Sequence, residues 1–287
     1  MLINSDFEAI KDITIVVLSR DHENFISDCL HSIYLELPDV KILCADTSST
    51  QKCYELGKSI SRDLKLNTVH LKLSKGSKTL SVLKILEKYI STKNIVLLSA
   101  DDALGKNYRN ALINLFKENP NGAVFNFTSV ITDQNLNPLY SRKSKWSEQK
   151  DINIRKLSYS NPGNAPGALI PWTKLISRPA WKEPPQIVIE DYWIWWQLIE
   201  FVPFVNCNES SVYYRKHQDN ISDASKNEDY ANSLGYITAI PNIKASNSCN
   251  KIISVALIFR WIRHLNITVW HKFIAGYFQA KRNTLRL

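Results

Sequence analysis

The chain has 287 residues, of which 44% are hydrophobic and 22% are charged. These values are typical of a globular protein with a full-sized core, and they exclude a largely disordered chain. The net charge of +9 arises at the C-terminal end: the eight charged residues after Asp229 are all basic, whereas residues 1–229 are nearly neutral.

The five cysteines lack C-x-x-C spacing and no signal peptide is recognised. We therefore expect neither a disulfide framework nor a zinc site, and a cytoplasmic location is favoured.

Apolar runs and helix-like segments alternate along the first 130 residues. Strands are predicted at 13–18, 40–45, 69–73, 95–98 and 123–131. Apolar residues at helical spacing follow each of the first four strands. This alternation predicts right-handed crossovers, and therefore an α/β fold with a mainly parallel central sheet flanked by helices. Such sheets bind ligands at the carboxyl ends of their strands, so Ser19, Asp21 and Asp46 are expected at a binding edge.

Two adjacent carboxylates, Asp101 and Asp102, follow the apolar strand at 95–98. Two neighbouring like charges are unfavourable unless a positive group is close, and Mg²⁺ and Mn²⁺ prefer carboxylate oxygen. The pair therefore predicts a site for a divalent cation. The alternative is a turn in which an Asp caps the helix predicted from residue 106 onward.

The pattern changes after residue 132. Residues 133–185 contain seven prolines, which predicts a loop-rich segment of the kind that often serves binding. Glu190 and Asp191 follow, and Asp191 is a suitable cap for a helix that continues to about residue 201. A short strand is predicted at 212–214.

The chain after residue 250 is basic and rich in aromatic and aliphatic residues. Trp270, Phe273, Ile274 and Tyr277 recur at helical spacing, which predicts an amphipathic helix. Such a helix either lies on an anionic membrane surface or packs on the main domain while its Lys and Arg side chains reach water. Basic residues interrupt the long apolar runs, so no spanning helix is predicted. No nucleic-acid motif accompanies them, and nucleic acid is not expected as a partner.

Several motifs within residues 12–222 resemble, in their order and spacing, those of family-2 glycosyltransferases of the GT-A fold. They are the opening strand at 13–21, the helix at 25–33, the Asp-containing turn at 44–50, the Asp-x-Asp position at 98–102, the Glu-Asp pair at 190–191 and the Tyr-Arg-x-His-x-x-Asn-x-Ser motif at 214–222. The first Asp of the Asp-x-Asp motif is Ser99 here. The resemblance implies a nucleotide-sugar-binding half at 1–130, an acceptor-side half at 131–222 and a helical C-terminal extension at 223–287.

The resemblance also implies roles for the matching residues. Asp101, the last Asp of the motif, would ligate the Mg²⁺ or Mn²⁺ that bridges the donor diphosphate, with His217 close to the same ion. Asp191, preceded by Glu190 on the acceptor side, would be the general base that deprotonates the acceptor hydroxyl. The residues expected to contact the donor are Ser19, Asp21, Asp46, Ser99, Asp102 and Arg215.

Two further residues are candidates for substrate contacts on chemical grounds. Lys78 follows the third strand and could reach the donor base or phosphate, but the favoured alternative is a solvated helix start. Trp195 is a candidate for stacking on an acceptor sugar, and the alternative is that it belongs to the core, as expected for most tryptophans at helical spacing.

The resulting hypothesis is an inverting glycosyltransferase that moves a sugar from a nucleotide-diphospho-sugar to a saccharide acceptor in bacterial surface polysaccharide synthesis. A polyprenyl-linked acceptor would give the basic tail a reason to bind the inner face of the cell membrane. The alternative is a catalytically impaired relative that binds a nucleotide or glycan, or acts as a scaffold, because Ser99 replaces an expected Asp. A nucleotidyltransferase is disfavoured, since no Gly-rich phosphate loop follows the first strand.

Overall fold

The structure is a computed structural model that describes residues 10–218 and, beyond them, Asn220, Ser233, Ile237, Ile274, Tyr277 and Phe278. Most of the predicted C-terminal extension at 223–287 therefore lies outside the described residues. Among the helices that the structure describes, none combines the length and the apolar character needed to cross a membrane.

Within the described residues, nine strands form one sheet, and helices pack on both of its faces. The strands are β1 (Ile13–Ser19), β2 (Lys41–Asp46), β3 (Thr68–Lys72), β4 (Asn94–Ser99), β5 (Ala103–Leu104), β6 (Val124–Thr132), β7 (Pro138–Arg142), β8 (Ala168–Pro171) and β9 (Phe204–Arg215). The α-helices are α1 (Ile26–Glu36), α2 (Lys52–Asp63), α3 (Thr79–Leu86), α4 (Tyr108–Glu118), α5 (Lys150–Tyr159), α6 (Trp172–Ile176) and α7 (Glu190–Leu198). The five strands predicted in the first 131 residues are all present, as β1 to β4 and β6.

The strands of the first half are parallel, which confirms the predicted α/β class. β1 pairs with β2 on one side and with β4 on the other, and β3 lies outside β2. β1, β2 and β4 contain continuous buried apolar runs because both faces of the sheet are covered there, whereas the edge strand β3 is half-buried. Ile15 and Val17 pack in the core cluster that contains α1 and α4, whereas Val16 packs in the cluster that contains α3 and α7.

The second half of the sheet is mixed. β8 lies between β4 and β6 and is antiparallel to both, while β9 runs parallel to β6. The segment 133–185, predicted as loop-rich, contains β7, α5, β8 and α6. β8 has almost no local signal, because its apolar run is short and lies between Gly167 and Pro171. Its conformation depends on pairing with β4 and β6, which are distant in the sequence.

The carboxyl ends of β1, β2 and β4 meet at one edge of the sheet. Ser19 lies opposite Asp46, and Leu18 lies opposite Ser99. The pairing continues one residue beyond β4, since the Ala100 N–H donates to the Leu18 carbonyl oxygen at 2.8 Å. Asp101 therefore enters the same edge as Asp46, as the sequence predicts.

Candidate active site

Asp101 lies at the edge formed by β1 and β4. It is only 6% exposed, and its Oδ2 atom is 2.9 Å from Nε2 of His217 and 3.8 Å from Nε2 of His22. Its Oδ1 atom is buried and has no hydrogen-bond partner among the described residues. Because an unsatisfied buried acceptor costs about 1–3 kcal/mol, this oxygen is well suited to a cationic ligand.

Three side chains from separate segments form the cluster around Asp101. His22 follows β1, Asp101 follows β4 and His217 follows β9. One potential ligand atom from each lies within 4.8 Å of the others, a spacing that fits one metal ion. Sequence reasoning did not identify His22, although its position just after β1, at the predicted binding edge, was an available signal.

The ionisation states of the cluster suit metal binding. Burial lowers the pKa of His22, which keeps its imidazole neutral at neutral pH. Burial alone would raise the pKa of Asp101, but hydrogen bonds from His217 and Ser99 and the adjacent His22 hold the pKa below its ordinary value. Neutral imidazole and ionised carboxylate are the forms that bind metal ions.

Arg215, at the end of β9, connects the site to the surrounding segments. Its Nε atom donates to the Asp101 carbonyl oxygen at 2.8 Å, and its other nitrogens donate to the Gln134 carbonyl oxygen and, at 2.8 Å, to Asp28 Oδ2. The guanidinium also lies 4.6 Å from the centre of the Phe25 ring. The residue is 2% exposed, and its N–H groups donate to protein acceptors. The contact with the nucleotide-sugar that the resemblance implies for Arg215 is therefore not seen in this arrangement.

Asp102 is buried on the opposite side of the same turn from the cluster. Its Oδ1 atom accepts a hydrogen bond from the Arg215 backbone N–H at 3.1 Å. Burial and the adjacent Asp101 raise the pKa of Asp102. The helix-cap interpretation is wrong, because β5 follows Asp102 and α4 begins only after Asn107. The predicted donor contact of Asp102 is likewise not supported, since its side chain is 2% exposed and accepts a hydrogen bond from β9.

The second part of the edge contains an ion pair between β2 and β3. Asp46 Oδ2 lies 2.7 Å from Lys72 Nζ, and Asp46 Oδ1 accepts a hydrogen bond from the Ser48 N–H at 3.0 Å. Lys72 also donates to the carbonyl oxygens of Ser48 and Thr50. The carboxylate is therefore held rigidly at the edge. Lys72 was not among the predicted site residues, because its place inside the predicted third strand conceals that it faces Asp46.

The turns after β1 and β2 are joined by side-chain hydrogen bonds. Asp21 has a left-handed backbone conformation (φ 57°), and its Oδ1 atom accepts hydrogen bonds from the N–H and hydroxyl of Ser49. These bonds from Ser49 lower the pKa of Asp21. The Ser48 hydroxyl accepts from the Asp21 N–H at 2.7 Å. Asp21 is thus exposed at the edge and available to a ligand.

Ser19 and Lys78 are two further residues that the sequence predicts to contact the sugar donor. The Ser19 hydroxyl is buried and lies 2.8 Å from the Cys53 thiol in the first turn of α2, and its contact with a donor stays a prediction. Lys78 directly precedes α3 and is half-buried. Its contact with a donor stays a prediction.

Glu190 and Asp191 form the first turn of α7. Ile189 occupies the cap position, so the prediction that Asp191 caps this helix is wrong. Asp191 Oδ2 instead accepts a hydrogen bond from Asn161 Nδ2 at 2.5 Å, and burial raises the pKa of Asp191. Burial and the adjacent Asp191 raise the pKa of Glu190 to about 8, even though Glu190 has a hydrogen bond with Thr79.

Trp195 does not present a stacking surface. It is 0% exposed, and its ring packs edge-to-face on Trp146 and Phe204. The prediction that Trp195 contacts the acceptor is therefore wrong, and its core alternative is correct. The same holds for the neighbouring buried tryptophans at 172, 181, 193 and 196.

The chain matches the family model described as glycosyl transferase family 2 over residues 13–172, more than half of its length. S. aureus TarS 1-349 in complex with UDP-GlcNAc is similar in structure, with a TM-score of 0.65 and 14% identity over 93% of this chain and 81% of that chain. The mannosyltransferase PcManGT from Pyrobaculum calidifontis, in complex with GDP-Man and Mn²⁺, is also similar, with a TM-score of 0.56 and 10% identity over 97% of this chain and 87% of that chain. No curated protein matches.

The mixed sheet, and the acidic site at the carboxyl ends of its parallel strands, define a glycosyltransferase of the GT-A fold. The chain belongs to glycosyl transferase family 2.

The role of Arg215 as a planar clamp predicts that Arg215→Lys lowers the free energy of unfolding by about 2–3 kcal/mol. A lysine keeps the charge but cannot bridge three acceptors in one plane. Arg62→Lys is the matched control, because the Arg62 side chain is 80% exposed and contacts Asp63 and the Ser59 hydroxyl at the surface. Urea unfolding measures both variants, and equal stability of the two would contradict the clamp.

The raised pKa of Glu190 predicts a pH-dependent stability. Between the ordinary value of 4.5 and about 8, the folded state binds this proton more tightly than the unfolded state. Protonated Glu190 therefore stabilises the folded state at low pH. We expect the free energy of unfolding to fall as the pH rises through this window. Glu190→Gln should remove that loss, whereas Glu200→Gln, an exposed carboxylate just after α7, should keep it. Parallel pH curves for the wild type and Glu190→Gln, recorded by urea unfolding, would show that the raised pKa is incorrect.

Proposed function

We propose that this protein is an inverting, metal-dependent glycosyltransferase that transfers a sugar from a nucleotide-diphospho-sugar to a saccharide acceptor. The observation that carries the proposal is Asp101: an ionised carboxylate at the Asp-x-Asp position, with one unpartnered oxygen and two imidazoles beside it. The family match and the similarity to solved structures containing UDP-GlcNAc and GDP-Man support a nucleotide-sugar donor.

The donor is proposed to bind along the carboxyl ends of β1, β2 and β4. Asp46 lies where the family's turn contacts the nucleoside, and its pairing with Lys72 orients it before a ligand arrives. Asp21 is the nearest exposed carboxylate on the neighbouring turn. This arrangement supports a nucleoside at β2 and a diphosphate near Asp101, the two ends of one extended donor.

The residues present fit a divalent metal at the diphosphate. Asp101 and His217 would hold it, and the unpartnered Oδ1 of Asp101 is the atom that most needs a cation. A bound Mn²⁺ or Mg²⁺ would neutralise the charge that grows on the leaving nucleoside diphosphate. Arg215 would contribute indirectly, because it fixes the backbone of Asp101 through the carbonyl oxygen.

Asp191 is proposed as the general base. Asn161 orients its carboxylate, and burial raises its pKa, which makes the ionised form a stronger base. The carboxylate would take the proton from the acceptor hydroxyl while that oxygen bonds to the anomeric carbon, and the nucleoside diphosphate would leave with the electron pair. A single displacement of this kind inverts the anomeric configuration. Glu190, with a pKa of about 8, would be neutral at neutral pH and leave the charge on Asp191.

The acceptor is proposed to be a lipid-linked saccharide of bacterial surface polysaccharide synthesis, with the enzyme on the inner face of the membrane. Support comes from the basic tail and from the few described residues in it. Tyr277 contacts the core of the main domain, whereas Ile274 and Phe278 are 45% and 52% exposed. Apolar side chains that remain exposed beside basic residues are suited to an anionic bilayer surface.

The base assignment predicts that Asp191→Asn lowers sugar transfer by about 10²–10⁴-fold, the usual contribution of general-base catalysis. Release of nucleoside diphosphate from a panel of nucleotide-sugars measures this loss. Donor binding, followed by thermal shift, should stay unchanged, because the asparagine preserves shape. Asp151→Asn, an exposed carboxylate on α5, is the control. Full transfer activity in Asp191→Asn would contradict the assignment.

The second candidate function is binding without catalysis, and Ser99 is the observation that favours it. A serine at the first position of the Asp-x-Asp motif removes a carboxylate that the family uses at the donor. If the wild-type protein binds nucleotide-sugars, as shown by a thermal shift, but releases no nucleoside diphosphate with any sugar or metal, the binding function replaces the enzymatic one.

The tail proposal predicts that truncation after Asn250 moves the protein from the membrane fraction to the soluble fraction of cells. The truncation removes seven of the eight basic residues that follow Asp229, together with the aromatic residues after residue 250. Nucleotide-sugar binding by the purified truncated protein serves as the folding control. A truncated protein that remains equally membrane-associated, while it still binds the donor, would contradict the proposal.

A further inference from the structure

We propose that His22 is a third ligand of the metal at the donor site, and that His22, Asp101 and His217 form a two-histidine, one-carboxylate set that selects Mn²⁺ over Mg²⁺. The inference rests on the proposed function, since it concerns the same metal. It goes beyond it because the motifs shared with the family place Asp101 and His217 in the site but assign nothing to the residue after Asp21.

The geometry brings His22 to the cluster directly. Its Nε2 atom lies 3.8 Å from the Asp101 carboxylate, and its ring packs edge-to-face on His217, with ring centres 5.9 Å apart. The ligand atoms of all three side chains fall within 4.8 Å of one another. An ion placed between them would be within reach of each side chain without rearrangement of the backbone.

Two buried polar atoms in this cluster have no partner among the described residues. They are Asp101 Oδ1 and His22 Nδ1. Buried polar atoms are nearly always hydrogen-bonded, so two exceptions on adjacent side chains require an explanation. A shared cation bound through His22 Nε2 would satisfy the carboxylate oxygen, whereas simple packing of His22 against its neighbours would not.

The backbone holds His22 in place. Its carbonyl oxygen accepts hydrogen bonds from the N–H groups of Phe25 and Ile26 at 3.0 Å each, which ties the residue to the start of α1. Its own N–H is hydrogen-bonded to the Cys53 thiol of α2. The side chain is only 15% exposed. Such a preorganised imidazole is typical of a ligand rather than of a mobile surface histidine.

Ser99 lies beside the strand that leads to His22. The residue lies on β4 opposite Leu18 of β1, so the strand that loses the carboxylate of the Asp-x-Asp motif is the neighbour of the strand that presents His22. Compared with a site built from carboxylates alone, the set on this chain contains two neutral nitrogen ligands. Imidazole binds transition metals in preference to Mg²⁺, whereas carboxylate oxygen suits Mg²⁺ and Mn²⁺ alike. The set on this chain should therefore bind Mn²⁺ more tightly than Mg²⁺.

The test is Mn²⁺ binding to the full-length protein, with and without UDP, followed by electron paramagnetic resonance. Wild-type protein should show spin-echo modulation from the nitrogens of two imidazoles, and Mg²⁺ should displace Mn²⁺ poorly. His22→Ala and His22→Gln should each show one imidazole and bind Mn²⁺ at least about 10-fold more weakly. Mg²⁺ should then compete more effectively.

Two controls make the outcome specific. Asp101→Asn should abolish Mn²⁺ binding, and His31→Ala, an exposed histidine on α1, should change nothing. Circular dichroism confirms folding, and the glutamine variant keeps a polar side chain of similar size. If both His22 variants bind Mn²⁺ like the wild type, with two-imidazole modulation, the inference is overturned while the proposed function stands. If the wild type binds no Mn²⁺ even with UDP, the inference is also overturned, and UDP binding without metal then decides whether the donor site itself is correct.

Discussion

The buried guanidinium of Arg215 is the contact on which the site depends. It joins three segments that are far apart in the sequence: the turn at Asp101, the loop at Gln134 and the helix residue Asp28. A buried charge is tolerated only when its donors are satisfied and a counter-charge is near, and the structure meets both conditions. Because the same residue ends β9, it also delivers His217, two residues later, to the Asp101 carboxylate. Without this clamp, the cluster would have no fixed geometry.

The two acidic pairs of the site follow one electrostatic rule. In each pair, two adjacent carboxyl groups lie in a poorly solvated environment where both cannot easily ionise. For the first pair, hydrogen bonds and imidazoles lower the pKa of Asp101, while burial raises the pKa of Asp102. For the second pair, burial raises the pKa of both groups, that of Glu190 to about 8, while a hydrogen bond from Asn161 partly opposes the rise at Asp191. In each pair the carboxyl with the proposed role, the metal ligand Asp101 or the base Asp191, is the one that also accepts a side-chain hydrogen bond.

The hydrophobic pattern of the sequence was sufficient to predict those strands and helices whose own residues carry a clear apolar run or stripe. β1 to β4 and β6 are apolar runs bounded by polar turns, and their helices show clear apolar stripes. β8 is the opposite case, since its four residues become a strand only because β4 and β6 lie on either side. Trp195 shows the same limit, because an aromatic residue at helical spacing can face either the core or a ligand. In the structure, Trp195 packs against Trp146 and Phe204 and therefore belongs to the core.

The sequence by itself determined the α/β class, the binding edge and the acidic residues at that edge, because strand ends and charges follow from hydrophobic periodicity and from the chemistry of single residues. The tertiary structure decided which of those residues meet. It placed Ser19 beside Cys53, buried Asp102 and Arg215, paired Asp46 with Lys72 and brought His22 beside Asp101. These outcomes depend on which strands are neighbours and on how each side chain is directed between them. Both are properties of contacts between residues distant in the sequence, which no local pattern encodes.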